Sequence, residues 1–258
     1  MQEHLLMTKF VILTLPRTGS TLLSKSLNKH PEIFCDDEIF HFSFRSYFSP
    51  NQFRFLKIRF LSKKINYLIN YPPTVLRLPG FLNKYYTNKK NEHFKARGFK
   101  LMYYQTFYMP GLIRYLKRNN VKVILLLREN VLRNALSDLR ARTTGIYHFQ
   151  DDNEEQRSGL SKLNVDIQIL QQKMNYIIKQ NKKLESIVRD MNYLKIYYED
   201  FEDWNDTINR ISFFLNVSSE QIEAGAKKLN PHTLRDMISN YSEVDNWLRK
   251  NNFSAFTA

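Results

Sequence analysis

Three features of the chain predict an α/β fold built on a central parallel sheet. Apolar runs of strand length alternate with segments of helical periodicity, as a parallel sheet with crossover helices requires. The first such run, Phe10-Val11-Ile12-Leu13-Thr14-Leu15, passes through a compact turn directly into a helix. With 258 residues, the chain is long enough for one α/β domain with an ordinary core.

The first strand is expected at 9–15 and is apolar enough to be buried on both faces. A helix follows at 20–29, with Leu22, Leu23 and Leu27 on one face and Ser20 or Thr21 placed to cap it. Further strands are expected at 98–103, 121–127 and 192–198, with a short one at 33–35. Helices are expected at 38–48, 51–70, 109–119, 130–143, 163–190, 205–215, 219–228 and 232–250. In 51–70, Phe53, Leu56 and Phe60 at i, i+3 and i+7 form a core-facing stripe. Residues 148–161 are acidic and polar and read as a mobile loop, either a lid or a linker. The helix starting at Leu163 carries Ile167, Leu170, Met174, Ile177, Leu184, Val188 and Met191 at steps of three and four, broken by Asn181. That seam fits a helix laid across a sheet better than a coiled-coil dimer. The chain is taken as a single domain, 1–258, with a C-terminal helical segment from 205.

The turn Pro16-Arg17-Thr18-Gly19-Ser20-Thr21 is an anion site by construction. Backbone N–H groups of a Gly-containing turn converge there with the positive end of a helix dipole. Arg17 adds a fork of donors suited to phosphate or sulfate. The triphosphatase pattern needs a Lys before its Ser/Thr, and here Gly19 stands before Ser20. A Mg²⁺-binding Asp is also missing, because the strand at 121–127 ends in Arg128. A kinase or NTPase is therefore the weaker alternative.

The net charge is +14. Between Asn51 and Arg133 stand eighteen basic residues and only two acids, Glu92 and Glu129. A solvated surface, or a basic face that steers a polyanionic ligand, accounts for this charge. A non-catalytic polyanion-binding protein would too, but no nucleic-acid-binding signature accompanies the charge, so nucleic acid is not expected as a partner. Aromatics interleaved with the bases, such as Phe53, Phe55, Phe60 and Tyr67, also suit a peripheral membrane contact. One cysteine, Cys35, excludes an internal disulfide framework and fits a small buried side chain in a reducing compartment. No apolar run approaches the length of a membrane span, and 1–6 does not resemble a secretory signal, so a cytoplasmic location is expected.

The turn at 16–21 and the segment Leu127-Arg128-Glu129-Asn130-Val131-Leu132-Arg133-Asn134-Ala135-Leu136-Ser137 together resemble the two nucleotide motifs of sulfotransferases that use 3′-phosphoadenosine 5′-phosphosulfate (PAPS). His30-Pro31-Glu32-Ile33, Gly98-Phe99-Lys100-Leu101-Met102-Tyr103, Tyr198-Glu199-Asp200-Phe201 and Asn230-Pro231-His232-Thr233-Leu234-Arg235-Asp236 are similar to stretches of the bacterial and tyrosylprotein-sulfotransferase-like branches. The resemblance runs from about Lys9 to Asn246. It implies a P-loop-like three-layer α/β fold with helical insertions, and a sulfuryl transfer from PAPS that uses no metal.

It further implies that Arg17, Thr18, Gly19, Ser20 and Thr21 hold the 5′-phosphosulfate. Arg128, with Ser137 nine residues on, would hold the 3′-phosphate. Glu38 falls where the family supplies its catalytic base, in Cys35-Asp36-Asp37-Glu38-Ile39-Phe40-His41; Asp37 and His41 remain alternatives for that role. An acidic cluster at a helix start is the plainer reading of the three carboxylates. Lys100 and Arg17 would stabilise the transferring group or the departing phosphate. An edge-strand lysine in solvent is the plainer reading of Lys100. Analogy with the bacterial branch points to a sugar, glycolipid or polysaccharide acceptor. Tyr198-Glu199-Asp200 is expected to fix the fold, and the segment from Asn230 to Tyr241 to close over the nucleotide.

Overall fold

A computed structural model describes residues 7–42, 53–55, 62–87, 93–145, 162–224, 233–251 and 253. They include the strands β1 (Thr8–Thr14), β2 (Ile33–Glu38), β3 (Phe40–Phe42), β4 (Phe53–Phe55), β5 (Ala96–Met102), β6 (Lys122–Leu127) and β7 (Tyr193–Tyr197). The helices are α1 (Ser20–Leu27), α2 (Lys63–Tyr86), α3 (Tyr103–Thr106), α4 (Leu112–Arg118), α5 (Val131–Thr144), α6 (Ile167–Val188), α7 (Trp204–Leu215), α8 (Leu234–Met237) and α9 (Tyr241–Lys250). A 3₁₀ turn spans Glu199–Glu202.

The chain divides into two compact units, one of residues 1–127 and 183–225, the other of residues 128–182 and 226–258. The first unit holds a five-stranded parallel sheet in the order β2-β5-β1-β6-β7, flanked by helices. β1 lies at its centre, with Ile12 in register with Lys100 on one side and Ile124 on the other. Its core gathers Phe10, Ile12, Leu23, Leu27, Ile124, Leu126, Ile196, Ile208, Ile211 and Leu215. The dense apolar runs of β1 and β6 follow from this position, since inner strands of a parallel sheet are covered on both faces. The opposite face carries Phe99, which packs edge-on against Phe40 and Tyr85 at centroid distances of 5.5 Å each. β3 and β4 form a separate parallel pair, with Phe40 opposite Phe53 and His41 opposite Arg54.

In the second unit, Asn130 caps α5 by accepting the Arg133 N–H at 2.9 Å. Asp138, buried on α5, accepts from Arg142 Nε at 2.8 Å and pairs with Lys173 of α6. Asn240 behaves as a short piece of strand: its amide takes the Val165 N–H and gives to the Val165 carbonyl, each at 2.9 Å. Leu163, ahead of Val165, forms an isolated bridge to Ile238, and α6 begins at Ile167 and not at Leu163. Along α6, Leu170, Met174, Ile177, Leu184 and Val188 are buried within the single chain, as a core-facing helix requires.

Several expectations need correction. Residues 38 and 40–42 are strand and not the start of a helix at 38–48, so the carboxylates of Asp36, Asp37 and Glu38 cap no helix. Residues 53–55 are also strand, and the helix expected at 51–70 is α2, displaced to Lys63–Tyr86. Gly19, in a left-handed conformation at φ 82°, occupies the cap position of α1, which places Ser20 and Thr21 inside the first turn. Of the helix expected at 219–228, residues 219–224 are not helical and 225–228 lie outside the described residues; the Ile222 carbonyl accepts from Trp204 Nε1 at 2.7 Å, and Ser218 N, just before, donates to Glu32 Oε2 at 2.8 Å. The helix expected at 232–250 is two, α8 and α9. The loop expected at 148–161 and the triplet Asn230-Pro231-His232 lie outside the described residues.

Candidate active site

The residues expected to do chemistry at the head of the sheet belong to the first unit, where the carboxyl ends of β1, β2 and β5 lie side by side. Ligands of open α/β sheets bind beyond such strand ends. β1 delivers the chain into the turn. Thr14 Oγ1 donates to the Leu126 carbonyl at 2.8 Å, tying the end of β1 to β6. Thr18, fully buried, donates through Oγ1 to the Leu15 carbonyl at 3.0 Å and also meets the Thr14 hydroxyl. Its hydroxyl therefore braces the turn from within.

Arg17 and Gly19, on either side of Thr18, both adopt positive φ, 68° and 82°. For Arg17 that conformation costs about 1–3 kcal/mol, a strain found where a loop is shaped for a ligand. Gly19 has a second constraint. A Cβ there would stand 2.5 Å from Tyr198 Cδ2 and 2.9 Å from Cε2, so the Tyr198 ring admits only glycine. This explains how Tyr198 serves the fold. Its neighbour Asp200 accepts the Tyr197 N–H at 3.0 Å and, through its carbonyl, the Thr207 hydroxyl at 2.7 Å. The left-handed Gly19 leaves α1 with no side-chain cap. The first-turn N–H groups of α1 keep the positive end of its dipole available to an anion.

Lys100 is the pivot of the site. It lies on β5, an inner strand, and only 1% of it is exposed, which overturns the reading of an edge-strand lysine in solvent. A buried ammonium costs several kcal/mol unless charges and acceptors surround it, roughly the cost of taking one ion out of water. Lys100 Nζ has three such partners. It donates to Thr21 Oγ1 at 3.3 Å, pairs with Asp37, and stands 3.6 Å from Glu38 Oε1. The same ammonium thus touches the first turn of α1 and the carboxylate of β2.

Glu38 is fixed from its other oxygen. Oε2 accepts from Gln105 Nε2 at 2.9 Å and from the Tyr104 hydroxyl at 3.2 Å. Gln105 is itself fully engaged, with Nε2 also donating to the Phe40 carbonyl at 2.8 Å and Oε1 accepting the Met102 N–H at 3.0 Å. Burial, with the Glu38 charge beside it, pushes the Tyr104 phenol well above its ordinary value, so its O–H remains a donor. Asp37 is exposed and meets Lys100 alone of the groups named here, whereas Glu38 is three-quarters covered. Asp36 is held above its ordinary carboxylate value chiefly by burial, against the opposing effect of Tyr85 and Arg97. Cys35 is buried, and its thiol is pushed up by that burial and by the Asp36 and Asp37 charges.

Tyr104 and Gln105 were not singled out from the sequence. Polar residues that immediately follow a buried strand, at the end where ligands bind, are the signal that marks them. His30 is a structural member: Glu32 N donates to its Nδ1 at 3.0 Å while its Nε2 meets the Ser218 carbonyl at 3.0 Å. Arg128 and Ser137 belong to the second unit, Arg128 just ahead of the Asn130 cap and Ser137 buried in the second turn of α5.

A family model described as the sulfotransferase domain matches residues 7–255. The chain belongs to the sulfotransferase family. It is a sulfotransferase enzyme, of a family that generally takes its sulfuryl group from PAPS. The crystal structure of a sulfotransferase from Alicyclobacillus acidocaldarius is similar over 97% of this chain and 95% of that one, at 17% identity and a TM-score of 0.49. No curated protein matches the chain.

Proposed function

We propose that this sulfotransferase moves a sulfuryl group from PAPS to an acceptor hydroxyl on a carbohydrate or glycolipid, with Glu38 as general base. The observation that carries this reading is the position of Lys100, with Nζ 3.3 Å from the Thr21 hydroxyl and 3.6 Å from Glu38 Oε1. One cation thereby serves both the anion-binding turn and the candidate base.

In this reading the N–H groups of residues 17–21 and the Arg17 guanidinium grip the 5′-phosphosulfate. Arg128 and Ser137 grip the 3′-phosphate. Glu38 takes the proton of the acceptor hydroxyl as its oxygen bonds to sulfur, and the bond from sulfur to the bridging phosphate oxygen breaks. Lys100 and Arg17 neutralise the charge that builds on that oxygen, so the residues supply what a metal would. Gln105 and Tyr104 keep the Glu38 carboxylate turned toward the acceptor. The chain acts as one catalytic domain, in the cytoplasm. A buried Cys35 and a chain in which no described helix is long and apolar enough to cross a membrane are compatible with that location.

The test is the Glu38→Ala variant, assayed with ³⁵S-labelled PAPS against a panel of sugars and glycolipids. Turnover should fall by roughly 10²–10⁴-fold, the usual worth of a positioned base, while binding of 3′-phosphoadenosine 5′-phosphate stays within about twofold. Full turnover in this variant would remove Glu38 from the mechanism.

A further inference from the structure

Among the described side chains of helix α2, the buried ones lie in its C-terminal half. Leu78, Leu82, Tyr85 and Tyr86 are buried, and two of them anchor the helix to the sheet. The Tyr85 hydroxyl donates to the Gly98 carbonyl at 2.6 Å, and the Tyr86 hydroxyl to the Phe10 carbonyl at 3.1 Å. Ile65, Leu68, Ile69, Val75 and Leu76 are 44, 57, 39, 42 and 80% exposed, five of the nine exposed large apolar side chains among the described residues. At about 100° per residue these five positions fall within about 120° of one another, so they form one stripe. A soluble helix ordinarily turns such a stripe inward, and a contiguous exposed one marks a docking surface.

The charge around the stripe selects the partner. Over its own length, Lys63–Tyr86, the helix holds four Lys and Arg residues and not one Asp or Glu. Lys64 and Arg77, both exposed, flank the apolar residues on the helix itself. A second copy of the chain would set this cationic surface against itself, and like charges repel. An anionic lipid surface meets both halves of the pattern: apolar side chains enter the boundary between headgroups and acyl chains, while each Lys or Arg nearby adds about 1 kcal/mol of attraction. We propose that the N-terminal half of α2 docks this protein on the surface of a bilayer bearing anionic lipids. The helix lies on the membrane without spanning it, since no described helix is long and apolar enough to cross. This docking is independent of the sulfuryl-transfer reading and is measured without activity.

The experiment is sedimentation of the full chain with vesicles of phosphatidylcholine alone, and of phosphatidylcholine with phosphatidylglycerol, at low and high salt. The chain should bind the anionic vesicles, bind the neutral ones at least tenfold more weakly, and release from the anionic ones as salt rises. Leu68→Glu with Leu76→Glu, and separately Lys64→Glu with Arg77→Glu, should each weaken binding to anionic vesicles at least tenfold with an unchanged thermal melt. All four positions are exposed, and the charge-reversal pair keeps the test valid if the apolar pair disturbs folding. Absence of vesicle binding, or binding that neither pair of substitutions alters, would overturn the proposal. So would a dimer in solution that Leu68→Glu with Leu76→Glu dissolves, since the stripe would then be a self-interface.

Discussion

Lys100 shows how a single side chain can organise a site. An ammonium inside a parallel sheet is stable only with acceptors around it, and those acceptors, Asp37, Glu38 and Thr21, come from two different elements. Its neighbour Glu38 is oriented by Gln105 and Tyr104, whose donors converge on Oε2. In the proposed mechanism Gln105 therefore acts on the reaction through Glu38. Replacing it as Gln105→Ala should lower kcat by roughly 10–100-fold, the worth of one hydrogen bond to a charged group. KM for PAPS should hardly change, because the hydrogen bonds the Gln105 side chain makes go to Glu38, Phe40 and Met102. Steady-state kinetics with both substrates varied would separate the two constants, and a change confined to KM would show that Gln105 does not position the base. Glu38 was singled out in the sequence only through a family resemblance, whereas Lys100 also stands out as a lysine in an otherwise apolar strand. Gln105 and Tyr104 have no motif, since what places them is the path of the chain as it leaves β5.

At the scale of elements, what the sequence reveals depends on where burial falls. β1, β5, β6 and β7 were found within about two residues of their ends because apolar runs of this kind have few alternatives. β2 was half found: it is an edge strand, and its last residues, Asp36, Asp37 and Glu38, are polar, and Asp37 and Glu38 reach toward the site. α2 was displaced because Pro72, Pro73 and Pro79 break a helical pattern in sequence, while the tyrosines at its far end secure it by tertiary hydrogen bonds. Residues 219–224 looked helical and are not. Glu32, in the link from α1 to β2, accepts from Ser218 N and pairs with Lys95, and these contacts hold its carboxyl below the ordinary 4.5, the Lys95 hydrogen bond being the largest cause. A depressed carboxylate contributes stability above its unfolded value and loses it as pH falls through the folded one. Glu32→Gln should therefore be less stable than the parent at neutral pH and equal to it well below pH 4.5. Urea midpoints across that range check this, and a pH-independent difference would mean that the charge of Glu32 contributes nothing.

For the whole molecule, the sulfotransferase domain model spans residues 7–255, nearly the entire chain. The fold class was legible because the alternation of strands and helices is a property of the whole sequence, visible even where single helices were misplaced. The acceptor was not, because no residue of the described site fixes its shape, and a hydroxyl donor leaves no motif. The +14 charge bears on where the enzyme works and on which ligands it attracts; it has no bearing on which bond it makes. The donor nucleotide is the claim on which the mechanism rests, and it can be tested without an acceptor. The purified protein, free of metal, would be titrated calorimetrically with 3′-phosphoadenosine 5′-phosphate and with adenosine 5′-phosphate, beside the Arg128→Ala variant. The expected result is binding with a Kd on the order of micromolar that requires both the 3′-phosphate and Arg128. No binding, or equal binding of the two nucleotides, would contradict the assignment of Arg128 and Ser137 and with it the use of PAPS.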